Sequence, residues 1–154
     1  MSSKLFKDRI DKKQVEHGSD FAPKFNQDGL IPCITVNASD NEVLMFAWMN
    51  REALEQTLQT GKATYYSRSR NKIWLKGESS GRIQYVKEIR VDCDQDVIQL
   101  RVQMEKEGSC HNGYRSCFYR QVDLDSGGEL NFIEDEPVFD PEEVYGGKKD
   151  GGGG

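Results

Sequence analysis

A strict two-residue alternation over residues 97–104 constrains the fold of this chain more than any other feature. Apolar and polar side chains alternate there in the order Ile98, Gln99, Leu100, Arg101, Val102, Gln103 and Met104. Successive side chains of a strand point to opposite faces, so the pattern predicts a strand with one buried face. Residues 83–93 predict a long strand before it, and Asp94–Asp96 is then most simply a hairpin turn.

The rest of the middle of the chain predicts shorter strands around one helix. Strands are expected at about residues 30–36, 42–49, 63–67 and 73–75. Between the second and third of these, Asn50 is a good N-cap, Glu52 places a negative charge in the first turn, and Gly61 is a typical stop. We therefore predict an α+β fold, mostly antiparallel sheet with one main amphipathic helix.

The 154 residues fit one domain with two charged ends. We predict a charged N-terminal arm over residues 1–28 with one weak helix, a folded domain over 29–125, and an acidic, Gly-rich tail over 126–154. The ends are expected to be solvated, and the glycine-rich run at 146–154 to be disordered.

Composition excludes several classes of function. The net charge of −5 and the pI of about 5.1 argue against nucleic acid and acidic membrane as partners. No apolar run approaches the ~20 residues of a membrane span, and the N-terminus lacks the apolar core of a secretory signal. We expect a cytoplasmic protein, in which Cys33, Cys93, Cys110 and Cys117 are poor disulfide candidates.

Residues 92–96 crowd three carboxylates and a thiol into five positions, as Asp92, Cys93, Asp94, Gln95 and Asp96. Oxygen ligands at this density suit Mg²⁺, and the thiolate suits Zn²⁺. An EF-hand loop is rejected, because its sixth position would be Val97 instead of glycine and its flanks are strands. A solvated acidic hairpin tip remains the alternative.

A second segment carries Cys110, His111 and Cys117. With Cys93 it offers three thiols, and three protein ligands with an open position are typical of catalytic zinc. The six residues between the two thiols do not match a zinc knuckle, so buried thiols remain an alternative. His111 suits a fourth ligand, a base or a packed side chain.

Basic and hydroxyl side chains cluster after the third predicted strand. The cluster comprises Ser67, Arg68, Ser69, Arg70, Lys76, Ser79 and Ser80. Arginine forks and hydroxyl groups suit a phosphate group. An exposed hairpin tip is the other interpretation.

Several of these stretches, in order, resemble the phosphoribosyl-AMP cyclohydrolase family of histidine biosynthesis. The matching stretches are VLMFAWMNREAL (43–54), TG (60–61), YYSRSR (65–70), IWLKGESSG (73–81), DCDQD (92–96) and CHNGYRSCF (110–118), with LIP (30–32) before them. The resemblance covers about half the chain. The residues after the core are too few for the C-terminal pyrophosphohydrolase domain of some members, which implies the monofunctional form.

The resemblance implies hydrolytic opening of the purine ring of phosphoribosyl-AMP between N1 and C6. It implies Zn²⁺ on Cys93, Cys110 and Cys117, and Mg²⁺ on Asp92, Asp94 and Asp96. It further implies an obligate homodimer whose zinc site draws on both subunits. Substrate contacts are then expected from Glu78 together with the basic and hydroxyl cluster.

His111 is the best candidate for a base or proton shuttle, because it adjoins a thiol ligand. Three alternatives bear on the function. A nucleobase deaminase lacks support, since its His-x-Glu and Cys-x-x-Cys signatures are absent. The missing Cys-x-x-Cys also counts against a redox protein. A structural zinc module that binds a partner is the non-enzymatic alternative.

Overall fold

The structure, a computed structural model, describes residues 5–145, and a curled six-stranded sheet forms its centre. The strands of this sheet are β1 (Leu30–Asn37), β2 (Val43–Asn50), β3 (Thr64–Ser67), β4 (Lys72–Leu75), β5 (Gln84–Val91) and β6 (Ile98–Met104). A separate two-stranded sheet joins β7 (Arg120–Val122) to β8 (Leu130–Phe132). The helices are α1 (Lys12–His17), α2 (Arg51–Thr60) and α3 (Pro141–Tyr145).

The main sheet has the strand order β4-β3-β2-β1-β6-β5 and is antiparallel at every pairing except β1 with β6. The sheet curls until its two sides meet, because the Ala63 N–H donates to the Gln84 carbonyl at 3.0 Å and the Val86 N–H to the Gly61 carbonyl at 2.8 Å. The α+β class and the mostly antiparallel sheet are confirmed.

The alternation that dominates the sequence forms the buried face of β6. Ile98, Leu100 and Val102 are fully buried, whereas Gln103 is exposed. The core also holds a polar chain centred on Tyr65, whose hydroxyl lies 2.6 Å from Thr35 Oγ1 and donates to Gln84 Oε1 at 2.6 Å. These bonds satisfy groups that would be costly to bury alone.

Helix α2 begins and ends where its capping residues predict. Asn50 Oδ1 accepts a hydrogen bond from the Ala53 N–H at 2.8 Å, and Gly61 ends the helix in the left-handed conformation with φ 74°. Ala53 and Leu54 are buried against the sheet, so the predicted amphipathic helix is confirmed.

The two ends are packed to a greater extent than their composition predicts. Phe6 and Val15 are buried in the N-terminal segment (residues 5–28), and Tyr145 is buried in α3. The predicted glycine-rich disorder at 146–154 lies outside the described residues. Within residues 5–145, no helix combines the length and the apolar character needed to cross a bilayer.

Candidate active site

The acidic turn (residues 92–96) links β5 to β6 and brings its three carboxylates together. The side-chain oxygens of Asp92, Asp94 and Asp96 lie within 4.8 Å of one another. The Asp96 and Val97 N–H groups both donate to Asp92 Oδ1, at 2.9 and 3.1 Å. The structure therefore forms the three-carboxylate cluster that the sequence suggested as a magnesium site.

Electrostatics at the acidic turn favour a cation. The hydrogen bond to Asp92, then burial and the nearby Asp94, raise the pKa of Asp96 to about 6. Asp94 Oδ1 is buried and has no hydrogen-bond partner among the described residues. An unpartnered buried carboxylate oxygen beside two like charges fits the donor set that a hard divalent cation takes.

The thiol loop (residues 109–117) is tied to the start of β2 by three consecutive residues. Arg115 pairs with the Glu42 carboxylate, Ser116 Oγ donates to the Val43 carbonyl at 2.7 Å, and the Cys117 N–H donates to the Leu44 carbonyl at 2.7 Å. This edge of β2 therefore fixes the position of Cys117.

Gly113 within the thiol loop and Glu134 outside it both help to fix the conformation of the loop. Gly113 has φ 94°, and a Cβ there would lie 2.3 Å from the Phe139 carbonyl oxygen, so only glycine fits. Glu134 accepts hydrogen bonds from the Arg115 and Ser116 N–H groups at 2.9 and 3.0 Å. The residues after β8 thus support the loop, a role of Glu134 that no sequence motif indicated.

Two of the three predicted zinc ligands meet in the thiol loop. A hydrogen bond from Cys117 is the chief cause that lowers the pKa of Cys110 to about 6, with help from the Asn112 N–H and the charge of Lys76. The same contact raises the pKa of Cys117 far above its usual range. One thiolate is thus stabilised beside a second thiol, as expected of a half-assembled soft-metal site.

Cys93 lies far from this pair within one chain. It occupies the acidic turn before β6, whereas the thiol loop follows the other end of β6, where Ser109 Oγ contacts Met104 Sδ at 3.7 Å. The seven residues of β6 span about 20 Å. Among residues 5–145, the carboxylates of the acidic turn form the only group of three or more candidate ligand side chains within 4.8 Å.

The predicted substrate residues divide between two ends of β4. Lys76 is buried, donates to the Ser109 carbonyl at 2.6 Å, and acts electrostatically on both thiols. Glu78 and Ser79 are exposed and Ser80 is buried in the turn that follows. This second group therefore lies beside the thiol loop.

Ser67, Arg68, Ser69 and Arg70 form the hairpin tip between β3 and β4. Ser67 is buried, and its hydroxyl lies 3.3 Å from Ser69 Oγ and accepts the Arg70 N–H at 3.2 Å. The Arg68 guanidinium lies 5.1 Å from the centre of the Trp48 ring. Both arginines are exposed.

His111 follows Cys110 directly and is half-buried.

A cavity of about 480 Å³ lies beside the acidic turn, a volume within the usual range of ligand pockets. Its lining includes Val15, Phe21, Leu58, Ile89, Asp92 and Cys93. The N-terminal segment therefore forms part of the wall of a ligand-sized space next to one predicted zinc ligand.

The chain is similar to proteins of known family over most of its length. The sequence model of the phosphoribosyl-AMP cyclohydrolase family matches residues 45–119. A phosphoribosyl-AMP cyclohydrolase of Rhizobium etli (strain CIAT 652) is 54% identical over 138 residues, which cover 88% of this chain and 92% of that protein. One of Rhodopseudomonas palustris (strain HaA2) is 51% identical over 134 residues, covering 86% and 90%. The chain therefore belongs to the phosphoribosyl-AMP cyclohydrolase family.

Proposed function

We propose that this chain is the cyclohydrolase of histidine biosynthesis that opens the purine ring of phosphoribosyl-AMP at the N1–C6 bond. Membership of the family carries the proposal, since relatives more than 50% identical over at least 86% of the chain bear that name. The convergence of Cys110 with Cys117, and of three carboxylates in the acidic turn, supports it.

Zn²⁺ is proposed to bind Cys93, Cys110 and Cys117, and Mg²⁺ to bind Asp92, Asp94 and Asp96. Zinc bound there would supply a water activated for attack near neutral pH. Three thiolates would leave the zinc site with a negative charge, and the buried Lys76 next to the thiols offsets part of it. Lys76 thus suits an electrostatic role at the metal as well as a substrate contact.

His111 is proposed to move the proton that the reaction requires. Attack of water on C6 releases a proton, and N1 must gain one as its bond to C6 breaks. The His111 imidazole directly follows Cys110 in the chain, so it would lie near a water held on zinc there, and an imidazole ring can both accept and donate a proton. The Arg68 and Arg70 side chains of the hairpin tip are proposed to bind one of the two phosphates of the substrate.

The active unit is proposed to be a homodimer with zinc sites shared between subunits. The separation of Cys93 from the other two thiols, about 20 Å along β6, supports this, since a second chain can supply the missing ligand. An exposed apolar face also supports it. Phe46, 42% exposed, packs edge-to-face with Trp48, and Pro32, Ile34 and Tyr66 lie opposite them in the sheet.

A direct assay tests the function. Zinc-loaded protein should convert phosphoribosyl-AMP to its ring-opened product, with the absorbance change followed over time. A chelator should abolish turnover, and added Zn²⁺ should restore it. A folded, zinc-loaded protein that turns over no phosphoribosyl-AMP would instead favour the structural zinc module.

We propose that the protein lies in the cytoplasm, where this pathway would supply its substrate.

Cys33 provides the matched control for the zinc ligands. It is fully buried in β1 and belongs to the core. The Cys33→Ala protein should therefore retain turnover, whereas Cys117→Ala should lose both turnover and bound zinc. Equal loss in the two variants would contradict a specific role for the predicted ligands.

A further inference from the structure

Gln95 is the one residue of the acidic turn without a role in the proposed chemistry, yet it is buried and conformationally constrained. It is buried to 5% exposure and adopts the left-handed conformation with φ 58°. A non-glycine residue rarely adopts this conformation unless its surroundings require it. The conformation places Gln95 at the centre of the turn that carries Asp94 and Asp96.

The side-chain amide of Gln95 is bonded entirely to the N-terminal segment. Its Oε1 accepts the Ala22 N–H at 2.8 Å, and its Nε2 donates to the carbonyls of Val15 and Asp20 at 2.9 and 3.0 Å. Both amide hydrogens are therefore used. The Lys24 N–H also donates to the Gln95 carbonyl at 2.8 Å.

Arg9 makes a second connection from the same segment. Its Nη1 donates to the Ala22 carbonyl at 2.8 Å and to the Asp94 carbonyl at 2.9 Å. Arg9 thus holds the Asp94 carbonyl, and Lys24 holds the Gln95 carbonyl. The bonds of the Gln95 side-chain amide add to these two. These contacts attach the segment to the acidic turn at two adjacent peptide units.

Three carboxylates within 4.8 Å repel one another before a cation binds, and this repulsion favours an open turn. Bonds from outside the turn oppose that opening. We propose that Gln95 is a positioning residue, through which residues 9–24 hold Asp92, Asp94 and Asp96 in a geometry ready for a divalent cation. This inference rests on the proposed magnesium site.

Substitutions separate the amide bonds from the backbone conformation. Gln95→Met keeps the size of the side chain and removes its three hydrogen bonds. Gln95→Gly removes the same bonds but adopts a positive φ freely. Arg9→Met removes the second connection alone. The exposed Gln103 gives the matched control, Gln103→Met, outside the turn.

Mn²⁺ serves as the probe of the site, with the zinc-loaded full-length protein titrated by electron paramagnetic resonance and competed with Mg²⁺. We expect Gln95→Met and Gln95→Gly to weaken Mn²⁺ binding by about 10-fold or more, as removal of groups that orient metal ligands typically does. Gln103→Met should bind as the unaltered protein does. High Mg²⁺ should restore turnover in the Gln95 variants.

Amide hydrogen exchange of the metal-free protein gives a readout independent of the metal. The Asp96 and Val97 N–H groups, bonded to Asp92 in the closed turn, should exchange faster in Gln95→Met than in Gln103→Met. Unchanged Mn²⁺ affinity with a lower melting temperature would overturn the proposal and leave Gln95 a purely stabilising residue. If Asp94→Asn did not alter Mn²⁺ binding either, the magnesium site itself would be refuted.

Discussion

Glu42 and Arg115 form a two-pronged salt bridge between the start of β2 and the thiol loop. Arg115 Nε lies 2.7 Å from Glu42 Oε1, and Nη2 lies 3.1 Å from Oε2. The planar guanidinium fork matches the carboxylate in a way that an ammonium group does not. The bridge fixes the loop two residues before Cys117.

Arg115→Lys should keep the charge and lose the fork. Because the two side chains are 41% and 28% exposed, we expect a loss of only about 0.5–1 kcal/mol in the free energy of unfolding. Urea denaturation measures it. The control is Arg90→Lys, whose partner Glu88 is 50% exposed, and which should leave the midpoint unchanged. Equal shifts in both variants would contradict a special role for the Arg115 pair.

Tyr65→Phe should destabilise the core without altering its shape. The change leaves Gln84 Oε1 and Thr35 Oγ1 without their shared partner, at a cost of about 1–3 kcal/mol. The midpoint of thermal or urea unfolding reports it. Tyr85→Phe is the control, because that hydroxyl bonds Glu105 at the surface and its loss should have little effect. A neutral Tyr65→Phe would mean that the buried chain of bonds contributes nothing net.

Alkylation at pH 8 should distinguish the four cysteines. Burial raises the pKa of Cys33 to about 12, so at pH 8 this thiol stays protonated as well as shielded. Mass spectrometry should find Cys33 labelled only after unfolding. Zinc should slow the labelling of Cys93, Cys110 and Cys117. Labelling of Cys33 in the native protein at the rate of Cys93 would contradict the assignment.

His111→Asn should bind zinc normally and lose at least about 10²-fold in kcat, the usual contribution of a general acid or base. The chain has two histidines, and the other, His17, is exposed in α1. His17→Asn is therefore the matched control and should keep both zinc and turnover. Retained turnover in His111→Asn would remove His111 from proton transfer.

Two inactive variants should complement each other if the zinc site is shared. Cys93→Ser and Cys110→Ser should each be inactive. After subunit exchange in an equal mixture, half the dimers are hybrids with one intact site each, so about a quarter of full activity should return. Cys110→Ser mixed with Cys117→Ser should recover nothing, because both ligands lie in one loop. Absent recovery after demonstrated exchange would place all three thiols in one chain.

Local patterns predicted the elements whose causes are local. The alternation along β6 and the caps of α2 at Asn50 and Gly61 depend on residues within a few positions of one another. The motifs likewise singled out thiols and carboxylates as candidate ligands, and the structure brings Cys110 to Cys117 and the three aspartates of the acidic turn together. The spacing of the motifs along the chain gives no distances in space. The separation of Cys93 from Cys110 therefore became evident only from the strands of the structure.

The packing of the ends could not be predicted in this way. The partners of the Gln95 amide lie 73 to 80 positions earlier in the chain, in a segment whose charged composition indicates solvation. Lys76 is a comparable case, since a lysine is seldom buried, and its partner Ser109 lies 33 positions away. Such contacts depend on the complete sheet.

Strand β6 pairs with β1, although four strands and α2 lie between them in the chain. The acidic turn precedes β6 directly and the thiol loop follows it, so neither has a fixed place until β6 has docked. We therefore expect nearly the whole domain to emerge from the ribosome before either proposed metal site can form. The proposed ions would then bind to a sheet that is already assembled, in contrast to small zinc modules that fold around their ion.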